Sequence, residues 1–361
     1  MITEIVKLSE ATESAERYGT AFTLSPEDDA KIKSCAEIIK RGGLVVFPTE
    51  TVYGLGGDAT SPTAASKIYE AKGRPSDNPL IIHVSCPEEA EKYAYTTELY
   101  YRLAEAFMPG PLTVILDAKD SVPSKTRGGL STVAVRCPTD AVARRLIELS
   151  GVPIAAPSAN LSGSPSPTRA KHVIDDMLGR VDAIIDGGEC EFGLESTIVK
   201  INSDDTLTLL RPGKITPTEL EKIAPVTVAD AVVDKLKEGE VAISPGMKYR
   251  HYAPSSPVVL LDGNLDKCLN YIEKTGQNNQ AFICYTDEAE AILKRLPSLT
   301  LYPIGAREDL FTQAHLLFSI LREADTKNHS CIYAHLPKRE GIGLALYNRL
   351  IRAAAHTIIN L

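Results

Sequence analysis

The chain has no tryptophan, and aromatic residues fill only 6% of its 361 positions. With few rings and no stacking-platform pattern, recognition of single-stranded nucleic acid by base stacking is not expected. No apolar run approaches the roughly 20 residues of a membrane-crossing helix. Met1-Ile2-Thr3-Glu4-Ile5-Val6-Lys7 lacks the basic-then-apolar order of a secretion signal, so a cytoplasmic protein without membrane contact is expected. The seven cysteines are odd in number and never spaced Cys-x-x-Cys, which predicts reduced thiols rather than a disulfide framework or a zinc site. A Gly-x-Ser-x-Gly elbow, a Gly-Lys-Ser/Thr phosphate loop and a paired-carboxylate motif are all missing. Any catalysis must then rest on positioning and charge stabilisation rather than on a covalent nucleophile.

What is present describes a soluble globular chain, 43% hydrophobic and 24% charged. Its length predicts two domains. The net charge of −8 argues against holding nucleic acid by bulk electrostatics. An anion site must therefore be a local concentration of cations.

Ser25-Pro26-Glu27-Asp28 reads as a cap, an N1 proline and early-turn acids that open a helix running to Lys40, which Gly42-Gly43 stops before a strand at 44–47. The role of the polar extension 1–24 is not legible. Beyond Pro48, strands are expected at 80–84, 112–116, 132–136, 153–156, 183–185, 197–201 and 206–210. Helices are expected at 63–71, 87–95, 98–107, 141–149 and 169–178. Several neighbouring strands are joined too briefly for helical crossovers, so the sheet should be mixed and the class α/β. The stretch 244–257, rich in Pro, Gly and Ser, reads as a linker. After it come four βα units with strands at 258–261, 281–285, 299–304 and 331–335, then a final helix at 342–359. This predicts a smaller Rossmann-like parallel domain. No Gly-x-Gly-x-x-Gly follows its first strand, so no dinucleotide is expected. The expected division is 25–213, a linker or lid at 214–257, and 258–361.

The chemistry concentrates at strand ends. Lys72-Gly73-Arg74-Pro75 ends a helix, and Asn78-Pro79-Leu80-Ile81-Ile82-His83 follows it. Two cations and an imidazole there, with Ser158-Ala159-Asn160 after a second strand, suit an anion with several oxygens, such as a nucleoside triphosphate. Cations at a helix C-terminus and a histidine inside a strand also have plain structural explanations. The two-residue strand period puts Thr132, Ala134 and Arg136 on one face, where Arg136 must find a carboxylate of the protein or of a substrate. Pro48-Thr49-Glu50-Thr51-Val52-Tyr53-Gly54-Leu55-Gly56-Gly57 reads equally as a tight turn or a ligand wall. The polar loop Ser158 to Ser166, Glu195-Ser196-Thr197 and Leu210-Arg211-Pro212-Gly213 give weaker signals.

These motifs, in this order, resemble the YrdC family: 47–56, Lys72-Gly73-Arg74-Pro75 with Asn78-Pro79-Leu80, Pro157-Ser158-Ala159-Asn160 and Arg211-Pro212-Gly213. The continuation 244–254 resembles its long, two-domain form. The resemblance implies a nucleotidyltransferase that joins L-threonine, bicarbonate and ATP into threonylcarbamoyl-AMP, with Mg²⁺ accompanying the ATP. A partner transferase then modifies tRNA to threonylcarbamoyladenosine, and tRNA contact by this chain is compatible but not required. It further implies Lys72 and Arg74 as the catalytic cations. ATP would be held by Lys72, Arg74, Asn78, Thr132, Ser158, Asn160, Ser166, Arg211 and a linker tyrosine, Tyr249 or Tyr252. Threonine would be held by Thr51, His83, Arg136, Ala156 and Ser196, with Arg136 on the carboxylate. The linker is expected to fold over the pocket. A pocket reading one methyl would favour threonine over serine by only about 1–3 kcal/mol. Competing readings are a double-stranded RNA-binding module, the carbamoyl-transfer domain of hydrogenase maturation proteins, and a nucleotide-binding regulator that does not turn over.

Overall fold

The computed structural model describes residues 2–13, 15–18, 22–234 and 252–361. Tyr249 and the rest of the segment 235–251 of the expected linker lie outside them. An eleven-stranded mixed sheet runs, edge to edge, Glu4–Lys7, Ala183–Asp186, Val45–Phe47, Gly54–Asp58, Ile154–Ala155, Ile81–His83, Thr132–Arg136, Leu112–Asp117, Thr197–Ile201, Leu207–Arg211 and Val226–Val228. The second sheet has five strands in the order Thr300–Pro303, Gln280–Cys284, Cys331–His335, Val258–Asp262 and Ile358–Asn360, all paired in parallel. This is the expected α/β architecture with a Rossmann-like second unit.

Local chemistry explains most boundaries. The Ser25 hydroxyl accepts from the Asp28 N–H at 3.1 Å and Pro26 occupies the first turn, which starts the helix Pro26–Lys40. The helix Pro62–Lys72 ends at Gly73, whose φ of 61° lets the chain turn left-handed and leaves Lys72 at the exit.

The structure corrects several expectations. Gly54–Asp58 is a strand antiparallel to Val45–Phe47 rather than a tight turn. Its glycines serve close packing, since a Cβ on Gly56 would lie 2.7 Å from Phe47 and 2.8 Å from Ile154. Pro87–Lys92 is only a 3₁₀ segment. The last helix stops at Ala353, because Ala355 and His356 turn through left-handed φ of 48° and 66°, and Ile358–Asn360 becomes a fifth parallel strand. The extension before Ser25 supplies the sheet-edge strand Glu4–Lys7 and a fully buried Arg17, whose Nε donates to Asp140 at 3.0 Å. At the other edge, Val226–Val228 widens the first sheet beyond residue 213. All seven cysteines are free thiols. Among the described residues, no helix is long and apolar enough to cross a membrane.

The two units share buried surface. Val52, Phe192 and Leu194, in loops of the first, pack in one apolar cluster with Leu317, Phe318, Leu346 and Leu350 on helices of the second. The C-terminal helices Leu310–Asp325 and Ile342–Ala353 thus sit directly behind the loops of the first sheet.

Candidate functional site

Ile81–His83 runs parallel to Thr132–Arg136 with His83 opposite Arg136, so the imidazole and the guanidinium leave the sheet side by side. Ile154–Ala155 pairs antiparallel on the other side of Ile81–His83 and delivers the chain into Ala156, Pro157 and Ser158. A bridge from Gly54 to Ser158 closes the opposite wall. Between these segments lies a cleft with about 700 Å³ of open space.

Of the residues singled out in the sequence, Lys72, Arg74, His83, Arg136, Ala156, Ser158, Asn160, Arg211 and Tyr252 line it, together with Thr49, Val52, Tyr53, Gly163 and Glu195. Thr51, Asn78, Thr132, Ser166 and Ser196 do not line the cleft in this structure. Thr51 is buried behind Thr49, hydroxyl to hydroxyl at 2.8 Å. Asn78 is buried at the foot of Arg74, and its carbonyl accepts from Tyr69. Thr132 starts its strand, half-buried at the far end from Arg136. Ser166 donates to Glu195. Ser196 accepts from Arg211 at 3.0 Å and shares a hydrogen bond of 2.7 Å with Thr113.

Each cation is held in place by protein acceptors. The Lys72 ammonium donates to the carbonyls of Ser158 and Asn160 and to the Asn160 side chain, so it fixes the polar loop as well as facing the cleft. Burial pushes its pKa well below the ordinary lysine value, and Arg74 adds to the shift. Arg74 donates to the Pro79 carbonyl at 3.1 Å. Arg136 pairs with Glu50 at 2.6 Å, which settles its structural partner. Arg211 donates to the Ser196 carbonyl at 2.9 Å, and burial lowers its pKa to about 10, leaving it charged at neutral pH. His83 is pushed down to about 3 by burial and then by Arg136, so it is a neutral ring at pH 7, with Nδ1 3.3 Å from the Ile154 carbonyl.

Sequence reasoning assigned no role to Glu50, Thr113, Glu195 or Arg349. Burial disfavours charge on Glu195, but Arg349 and Arg211 outweigh it and hold its pKa below the usual carboxylate value. Arg349 reaches this carboxylate from the helix Ile342–Ala353, at 2.8 Å. The motif Glu195-Ser196-Thr197 was the available signal; its partner lies too far along the chain for spacing to reveal it.

A two-sheet α/β protein with an arginine- and lysine-lined anion cleft is the class that this geometry defines. Residues 37–213 match the Sua5/YciO/YrdC family, described as "Telomere recombination", and residues 215–355 match "Threonylcarbamoyl-AMP synthase, C-terminal domain". The chain is 42% identical to the threonylcarbamoyl-AMP synthase of Pyrococcus abyssi, over 92% of this chain and 96% of that protein. It is also 42% identical to the Bacillus subtilis threonylcarbamoyl-AMP synthase, over 92% and 95%. The crystal structure of P. abyssi Sua5 complexed with L-threonine matches with a TM-score of 0.86 at 39% identity, covering 99% of this chain and 100% of that one. The chain belongs to the Sua5/YrdC family in its two-domain form.

Proposed function

We propose that the protein makes L-threonylcarbamoyl-AMP from L-threonine, bicarbonate and ATP, releasing pyrophosphate, and so supplies the group for threonylcarbamoyladenosine in tRNA. The observation that carries this reading is the convergence of Lys72, Arg74, Arg136 and Arg211 on one cleft. The cleft hydroxyls of Ser158, Thr49 and Tyr53 donate to the Asn160 side-chain oxygen and to the Val52 and Gly188 carbonyls rather than to a base. That suits a reaction in which the nucleophile belongs to the substrate.

The threonine amine condenses with bicarbonate to a carbamate, releasing water. A carbamate oxygen then attacks the α-phosphorus, and the bond to the β-phosphate oxygen breaks as pyrophosphate leaves. The protein must align two anions that repel each other and neutralise charge on the leaving phosphates. Arg136 takes the threonine carboxylate, with neutral His83 and Ala156 beside it. Lys72, Arg74 and Arg211 face the phosphates, with Ser158, Asn160 and Tyr252 on the nucleotide. Thr51 and Ser196 support the threonine side, and Asn78, Thr132 and Ser166 the ATP side, from behind the cleft wall.

Mg²⁺ would arrive on ATP. Among the described residues no group of three or more His, Cys, Asp or Glu is arranged for a metal, and the cleft carboxylate Glu195 is engaged by Arg349 and Ser166. Binding through substrate phosphates is how Mg²⁺ is commonly held. Concentration of the cations in one enclosed cleft weighs against the RNA-binding reading, which needs a basic stripe.

The test is to incubate the protein with ATP, Mg²⁺, bicarbonate and threonine, following pyrophosphate and the mass of the nucleotides formed. Pyrophosphate dependent on both threonine and bicarbonate, with an adenylate of the right mass, supports the proposal. ATP binding without turnover rejects it in favour of a nucleotide-binding regulator.

A further inference from the structure

The second domain carries no part of the reaction just described, yet two of its arginines end at the cleft wall. Arg349 is fully buried. Its Nε donates to the Glu195 carboxylate at 2.8 Å, its Nη1 to the Pro212 carbonyl at 3.0 Å and the Asn348 side chain at 2.8 Å, and its Nη2 to the Glu195 carbonyl at 3.3 Å. Glu195 uses its second oxygen to accept from Ser166. The Arg349 guanidinium also lies 5.6 Å from the ring centre of Tyr252, on the cleft wall. One cation from the second domain therefore fixes a carboxylate, a hydroxyl and a ring at the first domain's pocket.

Arg322, from the helix Leu310–Asp325, does the same at the other rim. It donates to the Pro165 carbonyl at 2.6 Å and pairs with Asp176 at 2.6 Å. Asp176 in turn accepts from the Leu161 N–H at 3.2 Å. The loop so pinned includes Ser162 and Gly163 of the cleft lining, and the Gly163 carbonyl accepts from the Ala253 N–H at 3.0 Å.

We propose that Arg349 and Arg322 are positioning residues, and that the second domain is a two-point clamp holding the nucleotide-side wall of the cleft in its binding shape. The inference rests on the proposed function for what the wall binds, but not for whether it is held. A buried carboxylate deprived of its cation either protonates or seeks water, and both weaken its hold on Ser166. Displacement of a binding wall by an ångström can cost about 10²-fold in rate.

The test uses the full chain with Arg349→Met, Arg349→Lys, Arg322→Met and, as a control on the same domain, Arg295→Met, whose ion pairs are with Asp266 and Glu273. Amide exchange without ligand is read at 161–167 and 195–197, and the ATP and threonine requirements are read from pyrophosphate release. The clamp predicts faster exchange at 195–197 in Arg349→Met and at 161–167 in Arg322→Met. It also predicts an ATP requirement raised roughly 10- to 100-fold, partial recovery in Arg349→Lys, and no change in the control. For Arg322→Met the threonine requirement at saturating ATP should move by less than about threefold. Unchanged exchange and ATP requirement in folded Arg322→Met would overturn the clamp, even if Arg349→Met failed to fold. If the unaltered protein released no pyrophosphate, the proposed function would fail while the exchange data still decided the clamp.

Discussion

Arg136 and Glu50 form a buried ion pair, 2.6 Å apart with side chains 5% and 1% exposed. Among the described residues, the Nε of Arg136 and the second oxygen of Glu50 have no hydrogen-bond partner. The arginine at the cleft is thus oriented from behind, with donor capacity left over. Under the proposed function, Arg136→Ala is expected to raise the threonine requirement about 10- to 100-fold, since a charged hydrogen bond is worth about 1.5–3 kcal/mol. The ATP requirement should move much less. Orphaning Glu50 should also cost about 3–5 kcal/mol of stability. Adding Glu50→Gln should restore stability without restoring threonine use. Urea melts and initial rates of pyrophosphate release read the two effects separately.

Lys72→Met removes the donor that two carbonyls and the Asn160 side chain share. Each buried acceptor left unsatisfied costs about 1–3 kcal/mol. The expected outcome is a looser loop at 158–164, seen as faster amide exchange there, together with weaker ATP binding by calorimetry. Lost ATP affinity with unchanged exchange would mean that Lys72 acts only through its charge.

Acid should destabilise the protein partly through His83. The ring stays neutral in the fold down to about pH 3, whereas in the unfolded chain it protonates near about 6.5. Below that unfolded value the unfolded state gains a proton that the folded state refuses. Stability contributed by the neutral ring is therefore complete above about pH 6.5 and is lost as pH falls toward about 3. His172, lowered to about 4 by burial and then by Arg322, acts in the same direction. Urea midpoints at several pH values should show a smaller acid slope in His83→Gln than in the unaltered protein. An equal slope would place the acid sensitivity elsewhere.

Gly193 has a φ of 83°, and a Cβ there would lie 2.6 Å from the His315 carbonyl oxygen and 2.7 Å from its Cα. These are backbone atoms of the second domain and cannot rotate away. Gly193→Ala should cost about 1–3 kcal/mol from overpacking, with roughly 1 kcal/mol more from left-handed strain. Because the Gly193 N–H donates to the Thr51 carbonyl at 3.1 Å, the threonine requirement should rise more than the ATP requirement. Chemical melts and pyrophosphate kinetics check both.

Legibility from sequence followed distance along the chain. Lys72 and Arg74 stood out because a helix stop and a proline fix them within a few positions. Arg136 stood out because a two-residue period gives its face. Glu50 is 86 positions from Arg136, so its role emerges only once the strands are side by side. Glycines misled at Gly54–Asp58, where the lack of side chains serves close approach rather than turning. Arg349 was hidden for another reason. On an amphipathic helix an arginine usually faces water, and only the docked neighbour turns that position into an interior one.

The first strand has a consequence for biosynthesis. Glu4–Lys7 is made well before Ala183–Asp186, its one sheet neighbour among the described residues. At ribosomal rates of about 5–20 residues per second, the opening strand waits on the order of ten seconds or more for its partner. Through that interval Ile5 and Val6 have no sheet to join, and Arg17 has no Asp140 until the chain has passed Thr139. This edge of the sheet is thus closed long after its outer strand has been made, so its order depends on a segment that lies far along the chain.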